Sequence, residues 1–162
     1  MTTDFDSDMG QARAQVEAIV TLTKALEAAR AEDPAPFTEE GIGELEMLGV
    51  NAEMHVDSYG VVDSWYDLTE AIEDAIREDV LSVEVRSGWV ALGQELAASE
   101  YLLLLCTGGP AVRIVGEIGL YGEPDNGRVE YSGWGTPWTE YILDDDAQSA
   151  VMAFAQTFYF GS

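Results

Sequence analysis

The chain offers few side chains that could act as a nucleophile or as a general base near neutral pH. Its 162 residues include one cysteine, Cys106, and one histidine, His55. Cys106 lies in an apolar run, where burial raises the pKa of a thiol and makes it unreactive, so we expect it in the core. His55 stands between two apolar residues, and we expect it to be partly buried and non-catalytic. The sequence therefore predicts no nucleophilic catalysis.

Only fragments of known metal-binding patterns occur in the chain. Asp4, Asp6 and Asp8 have the spacing of the first three ligands of a calcium loop. Met9 stands where that loop requires glycine, and Gln15 stands where it requires the closing glutamate. There is no cluster of cysteine and histidine for zinc. We expect neither a metal nor a cofactor.

Carboxylates are the one chemical group that the chain has in excess. It contains 31 Asp and Glu against seven Lys and Arg, which gives a formal net charge of −24. Like charges three or four residues apart destabilise a helix by about 0.2–0.5 kcal/mol per pair, so the excess needs a cause. The candidate partner-binding residues lie in two predicted helices and are Asp67, Glu70, Glu73, Asp74 and Glu78, followed by Glu39, Glu40, Glu44 and Glu46.

The spacing of the first group suggests mimicry of DNA. Asp67, Glu70, Asp74 and Glu78 recur every three or four residues, which places them on one helix face, opposite a stripe of isoleucines. Such a row resembles a strand of phosphates in charge and spacing. A protein built to hold DNA would bind the row, with the same counterion release and electrostatic steering. The row is predicted to be an exposed, convex surface.

The charge has two alternative origins, and both stay open. Acidic surfaces adapt proteins to molar salt, where screening shortens to about 3 Å, and the presence of a single lysine, Lys24, fits this halophilic hypothesis. A halophilic or adaptor protein would spread its acids evenly. A carboxylate-based hydrolase needs two carboxylates at a defined separation, and it would hold them in an enclosed pocket.

The charge also restricts the partners and the location of the protein. Direct binding to nucleic acid is excluded, because Lys and Arg make the phosphate contacts, and anionic membranes are disfavoured for the same reason. Residues 1–10 are acidic, unlike a signal peptide, and the apolar runs are too short to span a bilayer. We expect a cytoplasmic protein.

The periodicity of apolar residues changes from helical to alternating near residue 80. Before that point, amphipathic patterns predict helices at 11–32, at 38–48 and, with Asp67 as N-cap, at about 68–79. After it, the patterns predict strands at 82–89, 100–107, 111–118, 128–134 and 138–143. A closing helix is predicted at 147–160, capped by the acids at 144–146.

This order predicts an α+β fold, in which an antiparallel four- to five-stranded β-meander is covered by N-terminal and C-terminal helices. Residues 1–36 are predicted to form an amphipathic helix and a proline linker, because two prolines in the segment 33–36 end the helix. Residues 37–162 are predicted to form an α+β domain that contains the acidic helix 67–79 and the sheet 82–143.

Aromatic residues cluster in and around the sequence GWGTPWTEY. They are Tyr121, Tyr131, Trp134, Trp138 and Tyr141. Aromatic side chains favour strands and cores, so we expect core packing and a Trp-Pro turn. A binding platform lined with rings is the alternative.

The second half of the chain resembles a family of small proteins encoded by phages and plasmids. The resemblance lies in residues 103–141, which read LLLCTGGPAVRIVGEIGLYGEPDNGRVEYSGWGTPWTEY, and in the ending FAQTFYFG. It implies a mobile-element origin and an anti-CRISPR or antirestriction activity, without catalytic residues.

The sequence and the resemblance together predict a non-catalytic inhibitor rather than an enzyme. The predicted partner is a basic nucleic-acid-binding complex of the host cell, either a CRISPR surveillance complex or a restriction enzyme. The acidic residues would substitute for phosphates against its Arg and Lys side chains.

Overall fold

The computed structural model describes the backbone of residues 4–160 and the side chains from residue 8 onward. Its elements follow in chain order. The helices are α1 (Asp4–Arg30), α2 (Glu39–Met47), α3 (Trp65–Asp79) and α4 (Asp145–Ala155), and a short 3-10 helix spans Glu53–His55. The strands are β1 (Ser82–Arg86), β2 (Glu100–Cys106), β3 (Ala111–Glu117), β4 (Arg128–Ser132) and β5 (Thr139–Tyr141).

The five strands form one antiparallel sheet in the order β1-β2-β3-β4-β5. Each strand pairs with its neighbour in sequence, as in a meander. The connections range from the turn between β2 and β3 to the long loop 87–99 between β1 and β2. Gly108 adopts a left-handed φ of 97° in the turn between β2 and β3, where glycine carries no Cβ penalty. The predicted α+β fold with a five-stranded meander and covering helices is confirmed.

Burial alternates along the central strands, so the sheet has a covered and an uncovered face. Leu103, Val112 and Ile114 are fully buried on the covered face, which packs against α1 and α4. Leu102 and Val115 alternate with them on the other face and are half-buried. A meander with helices on one side produces this period-two pattern.

The predicted N-terminal helix is longer than its apolar pattern indicated. It begins at Asp4 rather than at residue 11, and it packs against α3, α4 and the sheet in one core. The hydroxyls of Thr21 and Thr23 donate to the carbonyls of Glu17 and Ile19, so these threonines are accommodated within the helix.

Several predicted boundaries differ from the structure. The helix α3 begins at Trp65 because Ser64, and not Asp67, is its N-cap, with the Ser64 hydroxyl accepting from the backbone N–H of Asp67. The strand β1 ends at Arg86 rather than at residue 89, and α4 ends at Ala155 rather than at residue 160. The predicted cap of α4 is confirmed, because the carboxylate of Asp144 accepts from the backbone N–H of Ala147 at 2.8 Å.

None of the helices in the described residues combines the length and the apolar character that crossing a membrane requires.

Candidate functional site

The helix α3 presents a straight row of acids to solvent. Its apolar residues Leu68, Ile72, Ala75 and Ile76 are buried in the core. The opposite face carries the four exposed carboxylates that we call the acidic row, which are Asp67, Glu70, Asp74 and Glu78. The ends of the row are eleven positions apart in the chain, so the row extends about 16 Å at the helical rise of 1.5 Å per residue.

Glu73, the fifth predicted acid of α3, has a different environment. It is half-buried, and its two carboxylate oxygens lie 3.0 Å from Arg30 Nη2 and 3.4 Å from Arg77 Nη2. The first contact joins the end of α1 to the middle of α3. Glu73 is therefore neutralised within the chain, and it positions α3 more than it offers charge to a partner. Arg77 also contacts Asp74, at 3.3 Å, on the exposed surface.

The predicted acids of α2 lie on a short helix whose start is close to the start of α3. All four, Glu39, Glu40, Glu44 and Glu46, are exposed. The start of α2 is held near the start of α3 because the rings of Phe37 and Trp65 meet edge to face, with centroids 5.8 Å apart. Glu46 has a structural role as well, since its Oε1 accepts from the backbone N–H of Glu53 at 2.8 Å.

The negative charge is concentrated in this part of the chain. Residues 39–79, which we call the acidic segment, contain 13 Asp and Glu and a single Arg. Their net charge of −12 is half of the total, although the segment is about a quarter of the chain.

The uncovered face of the sheet has the opposite character, because it carries three of the seven basic residues. Arg113 and Arg128 both contact Glu130, at 2.8 and 3.0 Å, and Arg86 Nη2 lies 3.2 Å from Glu100 Oε1. These arginines line a groove of about 490 Å³ whose floor includes Leu102 and Val115. The groove was not predicted from the sequence, although the alternation of Arg and Glu along the strands indicates a charged face of the sheet.

Two glutamates that pair with these arginines have lowered pKa values. The hydrogen bond from Arg86 lowers the pKa of Glu100. Burial raises the pKa of Glu130, but hydrogen bonds from Arg128 and Arg113 outweigh it, and its pKa lies below the ordinary value. The arginines are thus matched by carboxylates, and the groove is not a basic site.

The two side chains that could act in catalysis, Cys106 and His55, are both half-buried. Cys106 is half-buried, its Sγ lies 3.7 Å from the carbonyl oxygen of Pro110, and burial raises the pKa of the thiol. His55 is half-buried at the end of the 3-10 helix, where its carbonyl oxygen accepts from the backbone N–H of Asp63. An unactivated thiol is a poor nucleophile.

Among the residues that the structure describes, no three or more His, Cys, Asp and Glu side chains are grouped to hold a metal ion. Of the calcium-like aspartates, Asp8 is buried with its carboxylate against Gly133. The side chains of Asp4 and Asp6 lie outside the described residues.

The aromatic cluster is divided between core and surface. Tyr131 is buried, and Trp138 is stacked by the guanidinium of Arg113, 3.8 Å from the ring centroid. Tyr121 and Trp134 are 83% and 87% exposed, so the expectation that they pack in the core is wrong. Both lie in loops, outside the strands.

No protein-family model matches the chain, and no curated protein or solved structure is significantly similar to it. The functional argument therefore depends on geometry and charge.

Proposed function

We propose that the protein is a non-catalytic acidic inhibitor that acts as a DNA mimic in the cytoplasm of a host cell. Its acidic segment would occupy the nucleic-acid-binding channel of a defence complex, either a CRISPR surveillance complex or a restriction enzyme, and exclude the DNA. The observation that carries this proposal is the exposed acidic row of α3, fixed by the buried apolar stripe behind it.

The carboxylates of the acidic row can bind the side chains that line a phosphate-binding channel. Arg and Lys side chains form charge-assisted hydrogen bonds with carboxylates as they do with phosphates. Because Leu68, Ile72 and Ile76 are fully buried, the row is held on a rigid helix, and little ordering entropy is lost on binding. The surrounding acidic segment would add long-range steering toward a basic partner.

The distribution of charge favours mimicry over adaptation to salt. A halophilic surface needs acids everywhere, whereas half of this net charge lies in residues 39–79. Arg86, Arg113 and Arg128 are gathered on the uncovered sheet face instead.

The placement of the acids also favours a binding role over hydrolysis. The acidic row is exposed on a convex helix. On the uncovered face of the sheet, Glu100 and Glu130 are paired with arginines. A general acid needs a carboxyl group that is protonated near neutral pH, whereas the pKa values of these two glutamates are lowered.

The proposal is tested by competition with labelled target DNA for a purified CRISPR surveillance complex or restriction enzyme. The wild-type protein should displace the DNA at low ionic strength. The double variant Glu70→Lys/Asp74→Lys reverses the centre of the row and changes the net charge from −24 to −20. Each lost charge pair is worth about tenfold in affinity, so we expect a loss of at least about 100-fold.

The matched control changes the same charge elsewhere. The double variant Asp125→Lys/Glu140→Lys also has a net charge of −20, and both residues are exposed outside the helices. It should weaken competition less than about threefold, because only the long-range electrostatic attraction is reduced. Equal losses in both variants would show that only overall charge matters. Failure of the wild-type protein to displace DNA from either class of complex would refute the proposal.

A further inference from the structure

The first strand of the sheet has an unprotected edge. It hydrogen-bonds on one side only, to β2, so the groups on its outer edge have no partner strand in the described part of the chain. Such edges readily pair with another strand, and proteins usually shorten or cover them. The opposite edge strand, β5, is only three residues long, whereas β1 has five residues, four of them exposed.

Apolar side chains line this edge. Leu81, Val83 and Val85 are 59%, 48% and 51% exposed. Val83 and Val85 are in register with the buried Leu103 and Tyr101, on the helix side of the sheet, but they are not themselves in the core. They form an apolar strip that ends at the edge of the molecule.

The loop that follows β1 continues the apolar surface. Every residue in 87–97 is exposed, and Trp89 and Leu92 are exposed completely. A fully exposed Trp alone presents roughly 250 Å², and contiguous apolar patches of a few hundred Å² on a soluble protein usually mark an interaction surface.

The edge sequence is complementary to itself in one antiparallel register. With a two-fold axis at Val85, Glu84 of one copy faces Arg86 of the other, and the reverse pair forms as well. Continued by three residues, the same register places Trp89 opposite Leu81 of the second copy. Opposite charges and large apolar pairs are the favourable cross-strand combinations.

The neighbouring symmetric registers are unfavourable. An axis at Glu84 would place this residue opposite its own copy, and an axis at Arg86 would do the same for the arginine. Both arrangements oppose like charges directly, which destabilises a strand pair. The charge pattern thus selects the axis at Val85.

Overall charge also favours this edge as the contact. Two copies with a net charge of −24 each repel one another, but residues 80–116 contain only three acids and two arginines. The edge of β1 belongs to this nearly neutral segment, so contact there brings few like charges together.

We propose that two copies of the chain associate through their β1 strands, antiparallel about a two-fold axis at Val85, to form a continuous ten-stranded sheet. Each copy contributes the same patch, as an isologous interface requires. Addition of a strand to an open sheet edge is an established mode of recognition. The proposal does not depend on the proposed function.

The test measures the dimer dissociation constant by sedimentation equilibrium in 0.5 M NaCl, where repulsion between the copies is screened. Glu84→Arg and Arg86→Glu each replace two opposite-charge pairs by two like-charge pairs. We expect each variant to weaken dimerisation by at least about tenfold. A mixture of the two variants should form heterodimers, because both charge pairs are then restored.

Two further variants serve as controls. Glu140→Arg makes the same charge change on the opposite edge strand and should leave the dissociation constant unchanged. Trp89→Ser removes a side chain that has no part in the core, so it should weaken the dimer without changing the melting temperature of the monomer. It keeps the test valid if a charge variant fails to fold, as circular dichroism would show.

A protein that is monomeric at several hundred micromolar would overturn the proposal. A dimer that is insensitive to the β1 variants, or one that is weakened equally by Glu140→Arg, would place the contact elsewhere and overturn it as well.

Discussion

At the level of single residues, the start of α3 shows how a side chain sets the position of the acidic row. Ser64 has an extended backbone, and its hydroxyl accepts from the N–H of Asp67 at 3.2 Å. The helix therefore begins about one turn before its predicted start. Asp67 remains free to point outward as the first acid of the row, because it does not serve as the cap.

The first prediction separates these two roles. Ser64→Ala should lower the free energy of unfolding by about 1 kcal/mol through loss of the cap. Asp67→Asn should change it by less than about 0.5 kcal/mol, because the lost attraction to the helix dipole is offset by relief of repulsion from Glu70. Urea denaturation of both variants measures the difference, and a larger loss in Asp67→Asn would contradict the cap assignment.

Tyr101 gives a prediction about pH dependence. Burial raises its pKa to about 12, and its hydroxyl donates to the carbonyl oxygen of Asn126 at 2.7 Å. In the unfolded chain a tyrosine ionises near pH 10. Between pH 10 and 12 the unfolded state therefore loses a proton that the folded state keeps, and stability should fall by up to about 2 kcal/mol as pH rises.

Chemical denaturation at several pH values tests this fall. Tyr101→Phe should show a smaller decrease between pH 10 and 12 than the wild type, even though it loses the hydrogen bond at every pH. Tyr121→Phe is the matched control, because Tyr121 is 83% exposed, and its profile should follow the wild type. Parallel profiles for all three proteins would show that Tyr101 ionises normally.

At the level of elements, the sheet requires close approach where β3 meets the connection to β4. A methyl group on Gly116 would overlap the carbonyl oxygen of Asn126 and press on the ring of Tyr101. The backbone of that connection is held in place, because Asn126 Oδ1 accepts from the N–H of Glu117 at 2.8 Å. Glycine is required here for space.

We predict that Gly116→Ala lowers the free energy of unfolding by about 1–3 kcal/mol, the usual cost of overpacking. Gly109→Ala, in the turn between β2 and β3, is the control, because nothing lies within 4 Å of a Cβ there. Thermal melts of the two variants should differ clearly, and equal melting temperatures would mean that the connection yields easily.

For the whole molecule, the important property is the uneven distribution of charge. The core lies between the covered face of the sheet and the helices α1 and α4, and the acidic helix α3 packs against α1. The paired arginines lie on the uncovered face of the sheet. Repulsion among the carboxylates of residues 39–79 destabilises the folded protein when no partner is bound.

This cost should depend on salt. We predict that the protein is folded at 20 mM NaCl and that its melting temperature rises by several degrees by 0.5 M NaCl, because screening removes about 1–2 kcal/mol of repulsion. Melting curves over this range measure the rise. Unfolding below molar salt would instead support the halophilic alternative.

Much of this architecture could be predicted from periodicity alone. The spacing of Leu68, Ile72 and Ile76 defines the buried side of α3 and hence the exposed side that carries the acids. The change to alternation after residue 80 predicts the meander. The element boundaries were less accessible, because the end of β1 and the end of α4 depend on what packs beside them.

By itself, the sequence determined the fold class, the acid excess and the one-sided placement of the row, because these follow from local spacing along a helix or strand. Only the tertiary structure decided which charges are already satisfied. Glu73 meets Arg30, which is 43 positions away in the chain. Arg113 on β3 meets Glu130 on the neighbouring strand β4. Ion pairs between distant segments depend on how the elements pack, and no local pattern encodes that packing.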